Sequence, residues 1–127
     1  MTDSPGKPGR RMLGQVAEAR AAEYLAGAGY TVIDRNWRRR NGEMDIVARD
    51  GEWLVFVEVR ARRGTALGSP EESVTRRKQS RLVQLAQQYL VECAWDGPWR
   101  IDVLALLYGP DGSLASLNHL RDAVGLA

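Results

Sequence analysis

The sequence predicts an α/β fold, a mixed β-sheet flanked by helices in the order α-β-β-β-α-β-β. Three observations support this. Two segments repeat apolar residues at helical spacing, five short runs are rich in β-branched and aromatic residues, and Gly, Pro and Asp clusters separate them. A chain of 127 residues is long enough for one domain with its own core. Apolar residues at 44% and charged residues at 27% exclude a disordered or fibrous chain. The single cysteine, Cys93, excludes an intrachain disulfide framework and a multi-cysteine zinc site.

Residues 1–9 hold two Pro and two Gly and are expected to form a flexible tail, with residues 10–127 as a single domain. The tail lacks the apolar core of a signal peptide. No apolar run approaches the ~20 residues that span a bilayer. The expectation is a cytoplasmic protein with no membrane partner.

Arg10 to Ala28 reads as a helix, because Ala17, Ala21, Tyr24, Leu25 and Ala28 share one face and Gly27 and Gly29 close it. Glu18 lies about 20° beyond Leu25 on the helical wheel, at the edge of the buried stripe, whereas Glu23 falls on the solvent side. Tyr30 to Trp37 reads as a strand, 38–42 as a loop, and 43–49 and 52–60 as strands around Asp50-Gly51, a strong hairpin signal. Residues 61–69 read as a loop. Ser69-Pro70-Glu71-Glu72 fits a capping box for a second helix, with Thr75 as a rival start. Leu82, Leu85, Ala86, Tyr89, Leu90 and Cys93 form its buried stripe, which makes Cys93 a packed thiol. Trp99–Tyr108 reads as a buried strand, 109–112 as a turn and Ser113–Leu120 as the last strand.

The hairpin holds the most informative residues. With Asp50-Gly51 as a two-residue turn, Arg49 opposes Glu52, Asp45 opposes Phe56 and Glu43 opposes Glu58. Strict alternation then places Glu43, Asp45, Val47, Leu54, Phe56, Glu58 and Arg60 on one face, and Met44, Ile46, Ala48, Trp53, Val55, Val57 and Val59 on the other. Glu43–Glu58 becomes a direct pair and Asp45–Glu58 a diagonal one, ~5 Å and ~7–8 Å apart. Two carboxylates ~5 Å apart repel by about 3 kcal/mol at an effective dielectric of ~20, so they take up a proton or recruit a cation. An all-oxygen set suits a hard divalent ion, Mg²⁺ best. Arg60, two residues after Glu58, points the same way and is placed to hold a phosphate or to pair with an acid.

Charge is uneven along the chain. Residues 1–82 carry 16 Lys/Arg against 11 Asp/Glu, and residues 83–127 carry two against five. The N-terminal excess points to an anionic partner, and all but Lys7 and Lys78 of the basic residues are arginine, whose planar fork suits phosphate. A GC-rich genome gives the same bias. Arg38, Arg39 and Arg40, then Arg62 and Arg63, then Arg76, Arg77, Lys78 and Arg81 flank the acidic centre as candidate nucleic-acid contacts. Trp37 either stacks on a base or packs. Trp53, Trp95 and Trp99 are expected to pack, His119 to lie on the surface, and Asp102 to pair with Arg100 or Arg35.

Gly42-Glu43-Met44-Asp45-Ile46-Val47, Val55-Phe56-Val57-Glu58-Val59-Arg60, Gly14–Leu25, Ser73–Gln79 and Arg100-Ile101-Asp102-Val103 resemble the bacterial YraN-like family over about 14–120. That family is distantly related to archaeal Holliday-junction resolvases in the restriction-endonuclease-like PD-(D/E)xK superfamily. The resemblance implies a restriction-endonuclease-like fold, Mg²⁺ or Mn²⁺ as cofactor, DNA as partner in branched form, and a homodimer. It assigns the first acid to Asp45, the second motif to Glu58-Val59-Arg60, and the helix glutamate of the resolvases to Glu18. The catalytic set is then Asp45, Glu58, Arg60 and Glu18, and the metal set Asp45, Glu58 and Glu43. The superfamily lysine is replaced by Arg60, which clamps phosphate but cannot act as a general base. The function expected is DNA phosphodiester hydrolysis. A nucleic-acid-binding module without turnover and a protein-assembly factor are the two other classes.

Overall fold

The computed structural model describes residues 9–125 except the Arg10 side chain. The expected flexible tail, residues 1–9, lies outside the described residues except for Gly9. The elements are α1 (Arg10–Gly27), β1 (Thr31–Arg39), β2 (Gly42–Asp50), β3 (Trp53–Arg63), a 3₁₀ turn (Glu71–Ser73), α2 (Arg76–Glu92), β4 (Trp99–Tyr108) and β5 (Leu114–Leu120). The α-β-β-β-α-β-β order is the one expected. The strands form one sheet in sequential order, antiparallel except for the parallel step from β3 to β4. A parallel step needs a crossover, and α2 supplies it. No helix among the described residues is long and apolar enough to cross a membrane.

Each sheet face has its own core. Leu13, Ala17, Ala21 and Leu25 of α1 pack on Ile46, Ala48, Val55, Val57, Leu104 and Leu106. Leu82, Leu85 and Ala86 of α2 pack on Met44, Val47, Leu54, Phe56 and Ile101 from the other side. Truncating a fully buried leucine such as Leu25 or Leu85 costs about 2–5 kcal/mol. The small Ala17 and Ala21 let α1 lie close to the sheet, which brings Glu18 near the strands.

Four boundaries differ from the sequence reading, each for a local reason. Residues 61–63, expected in a loop, extend β3 because they pair with Leu106, Leu107 and Tyr108 of β4. Arg38 and Arg39 belong to β1 rather than to a loop, because they pair with Glu43 and Gly42. The capping box forms, with Ser69 N donating to Glu72 Oε1 at 2.8 Å and Glu72 N to Ser69 Oγ at 3.2 Å, but it caps the 3₁₀ turn. Thr75 caps α2 by accepting from Lys78 N. Finally, α2 stops at Glu92 and Ala94 takes a φ of 53°, so Cys93 leaves the buried stripe and is exposed.

The hairpin register is offset by two residues. Asp50 opposes Trp53 and Val47 opposes Phe56, so Gly51-Glu52 is the two-residue loop. Gly51 has a φ of 59°, and positive φ at the first central residue alone suits a type II′ hairpin. The two-residue shift preserves the faces of most side chains, because the strand period is two. The exceptions are Met44, found on the α2 side instead of with Ile46, and Glu43, turned toward Glu18 of α1. Met44 packs with Val47 on the α2 side while Ile46 packs on the α1 side, so alternation breaks between Met44 and Ile46. Facing this break on β1, between the Arg35–Ile46 and Trp37–Met44 pairs, Asn36 has a φ of 54°.

Candidate active site

The β2–β3 ladder runs from Asp50–Trp53 to Ile46–Val57. Beyond it β2 stays with β1 and β3 stays with β4, so the hairpin strands fork. Asp45 and Glu58 sit at the mouth of the fork. Asp45 Oδ2 accepts from Val59 N at 2.8 Å, a backbone donor freed where the ladder ends. The direct Glu43–Glu58 pair expected from the sequence is thereby corrected: in the observed register it is Asp45 that neighbours Glu58.

Both acids are buried, Asp45 to 9% exposure and Glu58 to 8%. Burial pushes the Asp45 carboxyl up to about 9, with the charge of Glu58 and a hydrogen bond to it adding to the rise and Val59 N–H opposing it. Burial raises Glu58 as well, opposed by its bond to Asp45 and by the charges of Arg60 and Lys78. Burial thus biases both carboxyls toward their protonated forms.

On the α1 side the break in alternation turns Glu43 toward the helix. One carboxylate oxygen each of Glu18, Glu43 and Asp45 lie within 4.8 Å of one another. The structure therefore brings Glu18 into the same group as two hairpin acids, while Glu58 adjoins Asp45 outside that trio. Asn36 Nδ2 donates to Glu18 Oε1 and fixes its direction. Arg38 donates to Glu43 Oε2 at 2.8 Å through Nη2 and at 3.3 Å through Nε. None of the ion pairs among the described residues includes Asp45. A buried carboxyl that lacks a cation partner, beside two more carboxylates, is an all-oxygen donor set that fits a hard divalent ion. Mg²⁺ is held by one or two carboxylates plus water and phosphate, and Glu18, Glu43 and Asp45 are the residues that could supply such oxygens.

Arg60 faces α2. Its Nε donates to Ser73 Oγ at 2.7 Å and its Nη1 lies 3.4 Å from Glu58 Oε2. Ser73 is itself anchored, donating to Pro70 O. The capped 3₁₀ turn thus aims the guanidinium at the acids. Lys78, in the first turn of α2, feels both Glu58 and Arg60; burial and then the neighbouring Arg60 lower its pKa, partly offset by Glu58. Arg62 also acts on Lys78, which places it in the same cationic group.

The other arginines differ in availability. Arg39 forms a two-point ion pair with Glu92 and stacks 4.3 Å from the Trp37 ring centroid. Arg38 is bound to Glu43, Arg40 is exposed, and Arg63 is exposed with interactions of its own. Trp37 packs edge-on against Tyr89, ring centroids 5.1 Å apart, and so does not serve as a base platform. Trp53, expected to pack, is partly exposed, with Arg100 over its ring at 5.5 Å.

Sequence reasoning missed Asn36, whose role depends on a left-handed backbone opposite Asp45. It also misplaced His119, which is not on the surface: its side chain is 7% exposed and bonds Asp102 and Tyr24. Asp102 does pair with Arg100, one of its two expected partners.

Residues 17–106 match the model of "Uncharacterised protein family UPF0102". The chain belongs to this family. It is similar to UPF0102 proteins of Chloroflexus aurantiacus, 50% identical over 91% of this chain and 95% of the relative, and of Symbiobacterium thermophilum, 49% identical over 82% and 89%. A UPF0102 protein of Rhodococcus opacus is 48% identical over 87% of this chain and 94% of its own length. The UPF0102 match contains all four acids together with Asn36, Arg60, Ser73 and Lys78.

Proposed function

We propose that this UPF0102 protein is a metal-dependent endonuclease that hydrolyses DNA phosphodiester bonds in branched or otherwise structured DNA. The observation that supports this best is the buried Asp45–Glu58 pair at the hairpin fork, with Glu18 and Glu43 converging on Asp45. Asp45, Glu18 and Glu43 would hold Mg²⁺ or Mn²⁺, and Glu58 would accept a proton or complete the oxygen set. Such an ion, when bound, acidifies water and neutralises charge developing on the phosphate.

The chain's own residues supply the rest. Asp45 gives up its proton to become a ligand, and Glu58 is the neighbour placed to receive or relay it. Arg60, held by Ser73 and Glu58, offers its fork to a non-bridging phosphate oxygen. Lys78 brings an ammonium to Glu58 from α2 and so compensates for the lysine that Arg60 replaces in the strand motif. Arg62, with the exposed Arg40, extends the cationic surface for sequence-independent phosphate contacts. Following the resolvase resemblance, a homodimer would present two such centres to a two-fold junction.

The test is cleavage of labelled duplex, flap and four-way-junction DNA with Mg²⁺ or Mn²⁺. Cleavage by the wild type that vanishes in Asp45→Ala is expected. Absence of cleavage by the wild type, or equal cleavage by the variant, rejects the proposal. The engagement of Arg60 by Ser73 and Glu58 favours one second reading, a DNA-binding module without turnover. Salt-dependent DNA binding with no product would select it.

A further inference from the structure

Between the start of α1 and the end of β3 lies a cavity of about 320 Å³ that the proposed chemistry does not use. Its walls are small or apolar, with Leu13, Ala61, Ala66 and Leu67, and Arg62 and Arg63 stand at its border. A second cavity of about 230 Å³ shares Leu13 and Ala61 with it and is bounded by Glu18 and Arg60. The two spaces adjoin at Leu13 and Ala61, with Glu18 on one side and the loop that follows β3 on the other.

That loop has an unusual composition for its place. Gly64 and Gly68 take φ values of 69° and 100°, and Gly68 N donates to Thr65 O at 3.0 Å, closing a tight reversal. The reversal holds Leu67 outward at 79% exposure, an apolar side chain in solvent at the mouth of an apolar cavity. The base of the loop is fixed, since Gly64 N donates to Tyr108 O at 3.0 Å. The Leu67 side chain is therefore presented from an anchored turn.

We propose that this cavity receives one unpaired nucleotide of the strand whose phosphate lies at the acids, and that Leu67 is a wedge that keeps the adjoining base pair apart. This deepens the nuclease reading and rests on it for the position of the phosphate. The chemistry of each part fits. A nucleobase has flat apolar faces to bury against Leu13, Ala61 and Ala66, and its phosphate needs a cation, which Arg62 at the border offers. The volume is at the lower end of the ~300–1,000 Å³ of small-ligand sites, right for one nucleotide and far too small for a duplex. Apolar wedges entering a base step are a known way to unstack DNA, and unstacking costs least where a base is already unpaired. The site thus selects bulges, gaps and branch points over perfect duplex.

The experiment measures binding of the full chain, without divalent ion, to a short perfect duplex and to the same duplex carrying one unpaired 2-aminopurine. The wild type is expected to bind the second about tenfold more tightly or better, with a change in 2-aminopurine fluorescence. Leu67→Ser, and Ala66→Trp to fill the cavity, should bring the two affinities together while leaving perfect-duplex affinity and thermal melting unchanged. Equal affinities in the wild type, no binding to either DNA, or a preference that survives in both variants overturns the inference. Cleavage is scored separately with Mg²⁺. A preference without cleavage sinks the nuclease reading and leaves the nucleotide site standing, whereas cleavage without preference does the reverse.

Discussion

The molecule buries two aspartates on strands that flank β3, at nearly the same level of the sheet, and treats them differently. Asp102, fully buried on β4, has each oxygen committed: Oδ1 accepts from Arg100 Nε at 3.0 Å and Asp122 N at 2.9 Å, and Oδ2 lies 2.8 Å from His119 Nε2. His119 Nδ1 continues to Tyr24 OH at 3.0 Å, and Arg100 continues to Tyr30 OH and Asp50. This network joins α1, β4, β5 and the loops at their ends. Asp45 has one backbone donor and a second acid, and among the described residues no ion pair. Burial with opposite satisfaction separates a group that holds the fold from one the fold holds in reserve.

The largest expected effect sharpens that contrast. Asp102→Ala leaves Arg100 and His119 without their buried acceptor and should cost about 3–5 kcal/mol in denaturant unfolding. Asp45→Asn should leave the metal-free protein at neutral pH as stable as the wild type or more stable, while abolishing cleavage. Equal destabilisation by both variants would erase the distinction.

Next is pH. The Asp45 carboxyl is pushed from its usual 3.8 up to about 9, so the folded state holds a proton the unfolded chain has lost. Its contribution is therefore fully present below about pH 4 and is lost as pH rises toward 9. Metal-free wild type should melt higher at pH 5.5 than at pH 8.5, with a limiting slope of about 1.4 kcal/mol per pH unit for one proton. Asp45→Asn should flatten the profile.

A divalent ion should reverse the penalty. At pH 8, Mn²⁺ at a hundredfold excess over its dissociation constant should add about 2.7 kcal/mol of stability to the wild type. It should add nothing measurable to Asp45→Asn. Calorimetric melts with and without the ion check this.

The smallest effects belong to the residues around the acids. Asn36→Ala puts a less tolerant residue at a φ of 54°, costing about 1–2 kcal/mol, and also releases Glu18, so metal affinity should fall with it. Asn36→Gly should lower metal affinity without the backbone cost. Arg38→Ala breaks an exposed pair and should change stability by less than about 1 kcal/mol.

Much of the architecture was legible because it follows local chemistry. The run Trp99–Tyr108 is a strand from end to end as read, and Ala17, Ala21 and Leu25 are buried as their spacing required. Glu18 lies at the stripe edge and Glu23 in solvent, where it meets Arg20, as the wheel placed them. The register was misread because Asp-Gly leaves open whether Gly is the first or second turn residue. The site's final geometry was beyond pattern reading, since it depends on Asn36 and Asp45 interrupting alternation together across two strands. Of the Asp102 network only the Arg100 pair, two residues apart, was legible; the other links span 17 to 95 residues, and no local periodicity links His119 to Tyr24.

The fork has a consequence for association. Where β2 and β3 part, each presents backbone groups that the ladder no longer uses, an edge in the interior of the sheet rather than at its rim. Such an edge invites a foreign extended segment. Here Asp45 occupies the Val59 donor and acids line the opening, so an incoming peptide would meet anionic side chains before it could zip in. The same carboxylates that would welcome a cation thus guard the seam against self-assembly.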